Sequence, residues 1–437
     1  MKTSLACLLA LIALAAPASS LAAPQSPIRE FPLPAGTGPE GITAGPDGNL
    51  WFAGLGSNAI GQITPAGEVR EFPLPTPEAR PFGIAAGPDG NVWFTEMAAG
   101  KIGRITPAGA ITEFAVECGG CRPLGITAGP DGNVWFTMAN MFGAVGRITP
   151  LGEITLIRDV GGSPWGIATG PDGNLWVGVT AYESEEPSFG QIARITPSGA
   201  VTLFRIPARY REALPAGITP GPDGKLWFAA RHWIGRIDTE GQITMLEVPA
   251  PGEVNSIAAG PDGNLWFGSS GPMPRSGAIG RVTPGGKTSL FPVAYGSRGV
   301  TAGPDGGVWF TDAAGAGIGR IAPGMPGLGI ESAQAQVPSR ATRIALACSG
   351  GGISRCRGVL SLVIRKRLRS SGQPRTYETV LIGRAPYDLG SGQERSVKIR
   401  LTRRGLALLD RRTPFRVRAV GRAKAGQGMT RSLVLRR

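Results

Sequence analysis

The sequence predicts an all-β molecule, a seven-bladed β-propeller closed by its own N-terminal strand and followed by a small Ig-like β-sandwich. Three observations predict it. The segment Gly-Pro-Asp-Gly recurs seven times, at Gly45, Gly87, Gly129, Gly170, Gly221, Gly260 and Gly303, with starts 42, 42, 41, 51, 39 and 43 residues apart. Each copy is followed by a Trp-centred apolar run, an Ile-Gly-Arg-Ile-like run and a Glu-Phe-Pro-like run. A repeat of this length, made of short strands and Gly/Asp turns, gives one four-stranded blade per copy. The composition then changes after Gly324, where the repeats end and a strongly basic region begins.

The second repeat justifies the elements in order. Gly83-Ile84-Ala85-Ala86 reads as the innermost strand, its small residues tolerating close approach around the central channel. Pro88-Asp89-Gly90 supplies the turn, since Gly and Asp accept the positive φ of tight hairpins. Val92-Trp93-Phe94-Thr95 is the second strand and Lys101 to Thr106 the third. Pro107-Ala108-Gly109 turns into the outer strand Ala110 to Phe114. The Trp and Ile residues read as core between blades. Outer strands follow the first six turns, near Val69, Ile111, Ile154, Val201, Ile243 and Ser289, but none follows the seventh. The missing strand is at the other end, where Ile28-Arg29-Glu30-Phe31-Pro32-Leu33 matches Val69-Arg70-Glu71-Phe72-Pro73-Leu74. The N-terminal strand is therefore expected to complete the last blade and leave no open edge.

Residues 1–22 read as a secretory signal: one Lys, an apolar stretch from Leu5 to Ala16, and a small-x-small site at Ser20-Leu21-Ala22. The mature protein is expected to be exported and extracellular, with the propeller over 27–324, a Pro/Gly-rich linker over 325–337 and the basic domain over 338–437. After cleavage four cysteines remain, an even number for an oxidising compartment. Cys118 and Cys121 read as a local disulfide, with a zinc or redox Cys-x-x-Cys as the alternative; Cys348 and Cys356 read as a disulfide across the Ser349 to Arg355 loop. Residues 325–437 hold 24 Lys+Arg against 5 Asp+Glu, while the remainder is net negative. Alternation such as Val397-Lys398-Ile399-Arg400-Leu401 puts apolar side chains on one face and cations in solvent. A short helix is expected over Thr402 to Asp410. Such charge suits an anionic cell-wall polymer or membrane surface, or simply keeps a soluble β-domain in solution. The basic strands lack interleaved aromatics, which argues against nucleic acid; the chain is read as a monomer.

The run Trp93-Phe94-Thr95-Glu96, Lys101 to Thr106 and Ile111 to Phe114, repeated from Ile28 to Pro323, resembles the virginiamycin B lyase (streptogramin lyase) family. The resemblance implies a seven-bladed propeller that linearises a cyclic depsipeptide antibiotic by elimination, with Mg²⁺ assistance. It also implies histidines at the start of two inner strands, with glutamates nearby to hold the metal. Elimination needs a base for the α-proton and a cation for the developing enolate. Here the matching positions, five before each turn's first Gly, are Glu40, Phe82, Leu124, Trp165, Ala216, Asn255 and Arg298. None is His, the two family histidines fall on Asn255 and Arg298, and a family glutamate falls on Gly296. A neutral amide is no base, and an Arg is protonated at neutral pH. The only His, His232, follows Trp227 by five on a loop and reads as a surface or packing residue.

A second series, three past each Trp, is Gly54, Glu96, Met138, Val179, Ala230, Ser269 and Asp312. Together the two series predict a channel mouth that is polar at Glu40, Glu96, Asn255, Ser269, Arg298 and Asp312 and apolar at Phe82, Leu124 and Trp165. That composition suits a small amphipathic ligand or peptide. Glu40, Arg298 and Asp312 are the candidates for catalysis, and Glu40, Glu96 and Asp312 the candidates for a metal. The alternatives are an active lyase or hydrolase with a rearranged metal site, a wall-associated interaction protein, and an Arg298 ion pair that merely plugs the channel.

Overall fold

A computed structural model describes residues 28–139, 143–182, 188–271, 277–293, 296–312 and 317–322 of the propeller region. Beyond these it describes the strands and short segments at 327–330, 334–336, 341–349, 355–367, 377–390, 394–403, 406–407, 415–423 and 428–436. The expected signal, 1–22, lies outside the described residues.

The repeat folds as read. Six sheets take their strands in sequence order, beginning with Pro39–Ala44, Leu50–Gly54, Ala59–Ile63 and Val69–Pro73 in blade one. The seventh is built from Val300–Ala302, Val308–Thr311 and Gly317–Ile321, with Ile28–Pro32 added antiparallel to the last of these. Phe31 is buried there and stacks on Trp309 at 5.1 Å between ring centroids. The closure expected from the N-terminal segment is thus present, and the inner strands of neighbouring blades, blade seven and blade one included, touch around the whole ring.

The turn does more than reverse the chain. In every blade the Asp of Gly-Pro-Asp-Gly accepts the indole N–H of the Trp four residues later, at 2.8 to 3.0 Å. A buried indole N–H without a partner would be costly, so the turn carboxylate lets each blade bury its Trp. The closing Gly of the turn has a positive φ, +74° at Gly90, a region open to Gly at little cost. Arginines on the third strand lie over the same Trp rings, as Arg104 does over Trp93 at 5.5 Å. They also reach the next blade: Arg104 donates to the carbonyl of Pro150 at 2.8 Å.

The inner strands carry the feature that builds the site. In blade two Pro81 faces Glu96 and Ile84 faces Phe94, so the pairing slips by one residue at Phe82-Gly83. Equivalent slips occur in blades one, three, four and six. Such a bulge re-aims the extra side chain and frees a backbone N–H. A threonine takes up that N–H: Thr95 Oγ1 accepts from Gly83 N–H at 2.8 Å and donates to the Leu124 carbonyl of blade three at 2.9 Å. Thr137 and Thr311 do the same, the latter joining blade seven to the Glu40 carbonyl of blade one.

The basic region departs from expectation in two respects. Two strands, Gly327–Ile330 and Gln334–Gln336, lie in the segment expected to be linker; the first pairs with Ala341–Ser349, the second with Gly428–Arg436. Paired backbone hydrogen bonds give these Gly- and Gln-rich residues an extended conformation that their side chains do not signal. The strands expected as a sandwich are also hydrogen-bonded in one continuous order, which joins the outer strand of blade six through Leu290 and Leu328. The alternation holds where described, with Val397, Ile399 and Leu401 buried and Lys398 and Arg400 exposed. At the expected helix, Leu406 N–H bonds the Thr402 carbonyl at 3.0 Å; the rest of Thr402 to Asp410 is only partly described. No helix among the described residues is long and apolar enough to cross a membrane.

Candidate functional site

All seven residues of the inner-strand series line one cavity of about 480 Å³ in the central channel: Glu40, Phe82, Leu124, Trp165, Ala216, Asn255 and Arg298. In blades one, two, three, four and six the bulge explains this aim; Ala216 and Arg298 come just before the paired inner strands of blades five and seven. Above it opens a second cavity of about 780 Å³, sharing Glu40, Phe82, Leu124, Trp165 and Arg298 and adding Leu55, Arg80, Met97, Arg122, Ala139, Ser163 and Tyr182. The two form a funnel into the ring. Trp165 is 41% exposed and Tyr182 66%, large aromatic surfaces left open at the mouth.

The polar side is centred on Glu40. Its Oε1 lies 3.3 Å from Arg298 Nη1, while Oε2 is buried with no hydrogen-bond partner among the described residues. Burial pushes the carboxyl above the usual carboxylate range, opposed by the charges of Arg298 and Arg80. Asn255 donates to Ser270 Oγ at 2.6 Å. Beside it the hydroxyls of Ser256 and Ser269 are buried and without partners among the described residues.

The second series is not at the mouth. Glu96, Met138, Val179, Ala230 and Ser269 are fully or almost fully buried, Asp312 is 9% exposed, and none lines either cavity. The reason is strand alternation: Glu96 shares a face with Phe94 and so packs between blades. Glu96 meets Lys101 across the strand pair and lies near Glu113. Among the described residues no three His, Cys, Asp or Glu side chains converge as metal ligands. Glu40 is held by Arg298, and Glu96 is fully buried. The residues present do not fit the Mg²⁺ that the resemblance implies.

Cys118 and Cys121 form a disulfide, their Cα atoms 5.7 Å apart, as read from the spacing. The side chains of Cys348 and Cys356 lie outside the described residues. His232 is exposed, lines neither cavity, and sets its ring edge-on to Trp233 at 6.0 Å.

Sequence reading missed Arg80 and Arg122. Each stands two before a channel residue, Phe82 and Leu124, on adjacent blades, and that shared offset was the available signal. Their backbones are fixed alike: Met97 N–H bonds the Arg80 carbonyl at 3.1 Å, and Ala139 N–H bonds the Arg122 carbonyl at 3.0 Å.

Comparison with known proteins matches the family model of the virginiamycin B lyase family over residues 18–210 and 183–326. The virginiamycin B lyase of Bordetella pertussis is 49% identical over 41 residues, a match spanning 9% of this chain and 14% of that protein. A streptogramin B lyase structure is 33% identical with a TM-score of 0.60, covering 67% of this chain and 96% of that one. A catalytically inactive virginiamycin B lyase from Staphylococcus aureus with quinupristin is 35% identical, TM-score 0.60, covering 68% and 98%.

Proposed function

Since this chain belongs to the virginiamycin B lyase family, we propose that it is an exported family member that binds an amphipathic organic ligand at the channel mouth without the family's lyase chemistry. One observation carries the reading: the funnel has an aromatic and aliphatic wall of Phe82, Leu124, Trp165 and Tyr182 facing a polar wall of Glu40 and Arg298. Ligand sites pair apolar lining with a few fixed polar groups in this way. The loss of chemistry follows from Asn255 and Arg298 at the positions where the resemblance puts histidines, since neither residue accepts a proton at neutral pH.

Titration with quinupristin, read by calorimetry and by chromatography of the antibiotic, tests both halves. Saturable binding that weakens on Trp165→Ala, with the ring left intact, is the expected result. The absence of binding to quinupristin and to smaller amphiphiles overturns the binding half.

A second reading is favoured by Glu40. Its unpartnered, buried Oε2 and raised pKa are the properties of a general base brought nearer to neutral pH. Ring opening of quinupristin that disappears with Glu40→Gln establishes that reading in place of the first.

A further inference from the structure

We propose that the ligand of the mouth cavity is an oxyanion: a single carboxylate or phosphate group carried on an aromatic or branched apolar body. The inference rests on the binding reading above and deepens it.

The charge of the cavity lining carries the argument. Among the described residues, three guanidinium groups, Arg80, Arg122 and Arg298, line the upper cavity against one carboxylate, Glu40. Arg298 is taken by that carboxylate at 3.3 Å. Arg80 and Arg122 make no ion pair among the described residues; Arg122 has only a weak contact from Nη2 to Met97 Sδ at 3.6 Å. Arg80 feels the charge of Glu40 without pairing to it, and arginines outside any ion pair among the described residues, gathered at the rim of a concave site, are suited to planar oxyanions, which they bind through paired N–H donors.

Both arginines are held in place. Arg80 sits at a positive φ of +54°, its N–H accepted by Asn58 Oδ1 at 3.2 Å and its carbonyl bonded by Met97. A bulky residue adopts that conformation only where its surroundings impose it. Arg122 directly follows the Cys118–Cys121 disulfide, which closes the short connection that presents it. The inner strands bearing Phe82 and Leu124 touch, so the two cations are presented from adjacent blades to one cavity, which Phe82, Leu124 and Trp165 also line. An apolar body against Phe82, Leu124 and Trp165 therefore places its polar end beneath Arg80 and Arg122. A neutral or cationic amphiphile of the same shape leaves that charge unanswered.

Calorimetry with three probes sharing one ring system tests this: naphthaleneacetate, naphthyl phosphate and the neutral naphthaleneacetamide. The anions should bind about tenfold or more tighter than the amide, the scale of a charge-assisted hydrogen bond. The double variant Arg80→Gln, Arg122→Gln should remove that preference by weakening the two anions about tenfold more than the amide, whereas Trp165→Ala should weaken all three. The stronger of the two anions shows whether carboxylate or phosphate is preferred. Equal binding of anion and amide, or a preference that survives the double variant, overturns the oxyanion assignment while the amphipathic-ligand reading stands. No binding of any probe removes both. The arginines are exposed, and an unchanged melting temperature of the double variant excludes misfolding as the cause of a loss.

Discussion

Glu96 shows at the scale of a residue how position decides chemistry. It is fully buried, and its two carboxyl oxygens have no hydrogen-bond partner among the described residues. Burial first, and then the charge of Glu113, push its pKa up to about 8, with Lys101 opposing. Glu113 behaves in the opposite way. Burial alone would raise it, but Lys101 Nζ at 2.8 Å, Thr76 Oγ1 at 2.6 Å and Thr76 N–H at 3.1 Å hold its carboxyl below the usual range. The proton thus resides on Glu96 and the negative charge on Glu113. An acid whose folded pKa exceeds its unfolded value favours the fold most at low pH. For Glu96 that advantage is complete below about 4.5 and is lost as pH rises through about 8. Glu96→Gln, neutral at every pH, should match the wild-type melting temperature near pH 4 and exceed it by several degrees at pH 9. Melting curves across that range check it; a difference independent of pH refutes the protonated state of Glu96.

The strand pair of each blade is held by a substitution pattern that the sequence displays without explaining. Six blades place a Phe of the second strand opposite a Gly of the third, as with Phe94 and Gly103. A Cβ on Gly103 would overlap the Phe94 ring. Blade four has Val177 opposite Ala193 instead, so the smaller side chain makes room for the methyl group. The two positions exchange volume, as core packing requires. Gly103→Ala alone should cost about 1–3 kcal/mol by overpacking, and Phe94→Val alone about 2–4 kcal/mol by leaving a cavity. Combined they recreate the blade-four pair, and the double variant should be more stable than the sum by at least about 1 kcal/mol. Denaturant unfolding of the four proteins measures this, and simple additivity contradicts the exchange. The phase of each blade was legible because Gly, Asp and Trp recur at fixed offsets, each with a local physical task. The channel ring was legible for the same reason: one inner-strand position keeps a constant offset from the turn in every repeat, and in five of the seven blades a bulge there turns it inward. Glu96 was misread because the second strand lies between blades, so polarity at its end does not report exposure. Arg80 and Arg122 went unread because neither of the two positions followed in each blade was theirs, although the bulge also brings the residue two before it to the rim.

Over the whole molecule, closure decides whether seven weak sheets make one rigid funnel. Each blade buries its Trp against the next, so no blade has a complete core alone. The ring has one place where chain continuity does not hold neighbours together, between blade seven and blade one. Three separate ties cross or complete that place. The N-terminal strand pairs from Ile28 with Ile321 to Pro32 with Gly317. Arg29 Nη2 donates to the Ala66 carbonyl of blade one at 3.0 Å, and Thr311 Oγ1 donates to the Glu40 carbonyl at 2.9 Å. The last of these supports the backbone of the residue at the centre of the polar wall, so the seam and the site share a support. Deleting Ile28 to Leu33 removes the first two ties, exposes the edge of Gly317–Ile321 and strips Phe31 from Trp309. Loss of the Phe31 packing alone is of the order of 3 kcal/mol, and the open edge adds to it. Stability should therefore fall by at least that amount in denaturant unfolding, and ligand binding at the mouth should weaken with it because Glu40 and Arg298 lie on either side of the seam. Replacing Phe31 by Leu, which keeps the strand, should cost far less and leave binding intact. A truncated protein that melts within about two degrees of the full-length chain would show that the propeller closes through its inner strands alone, with the N-terminal strand an appendage to blade seven.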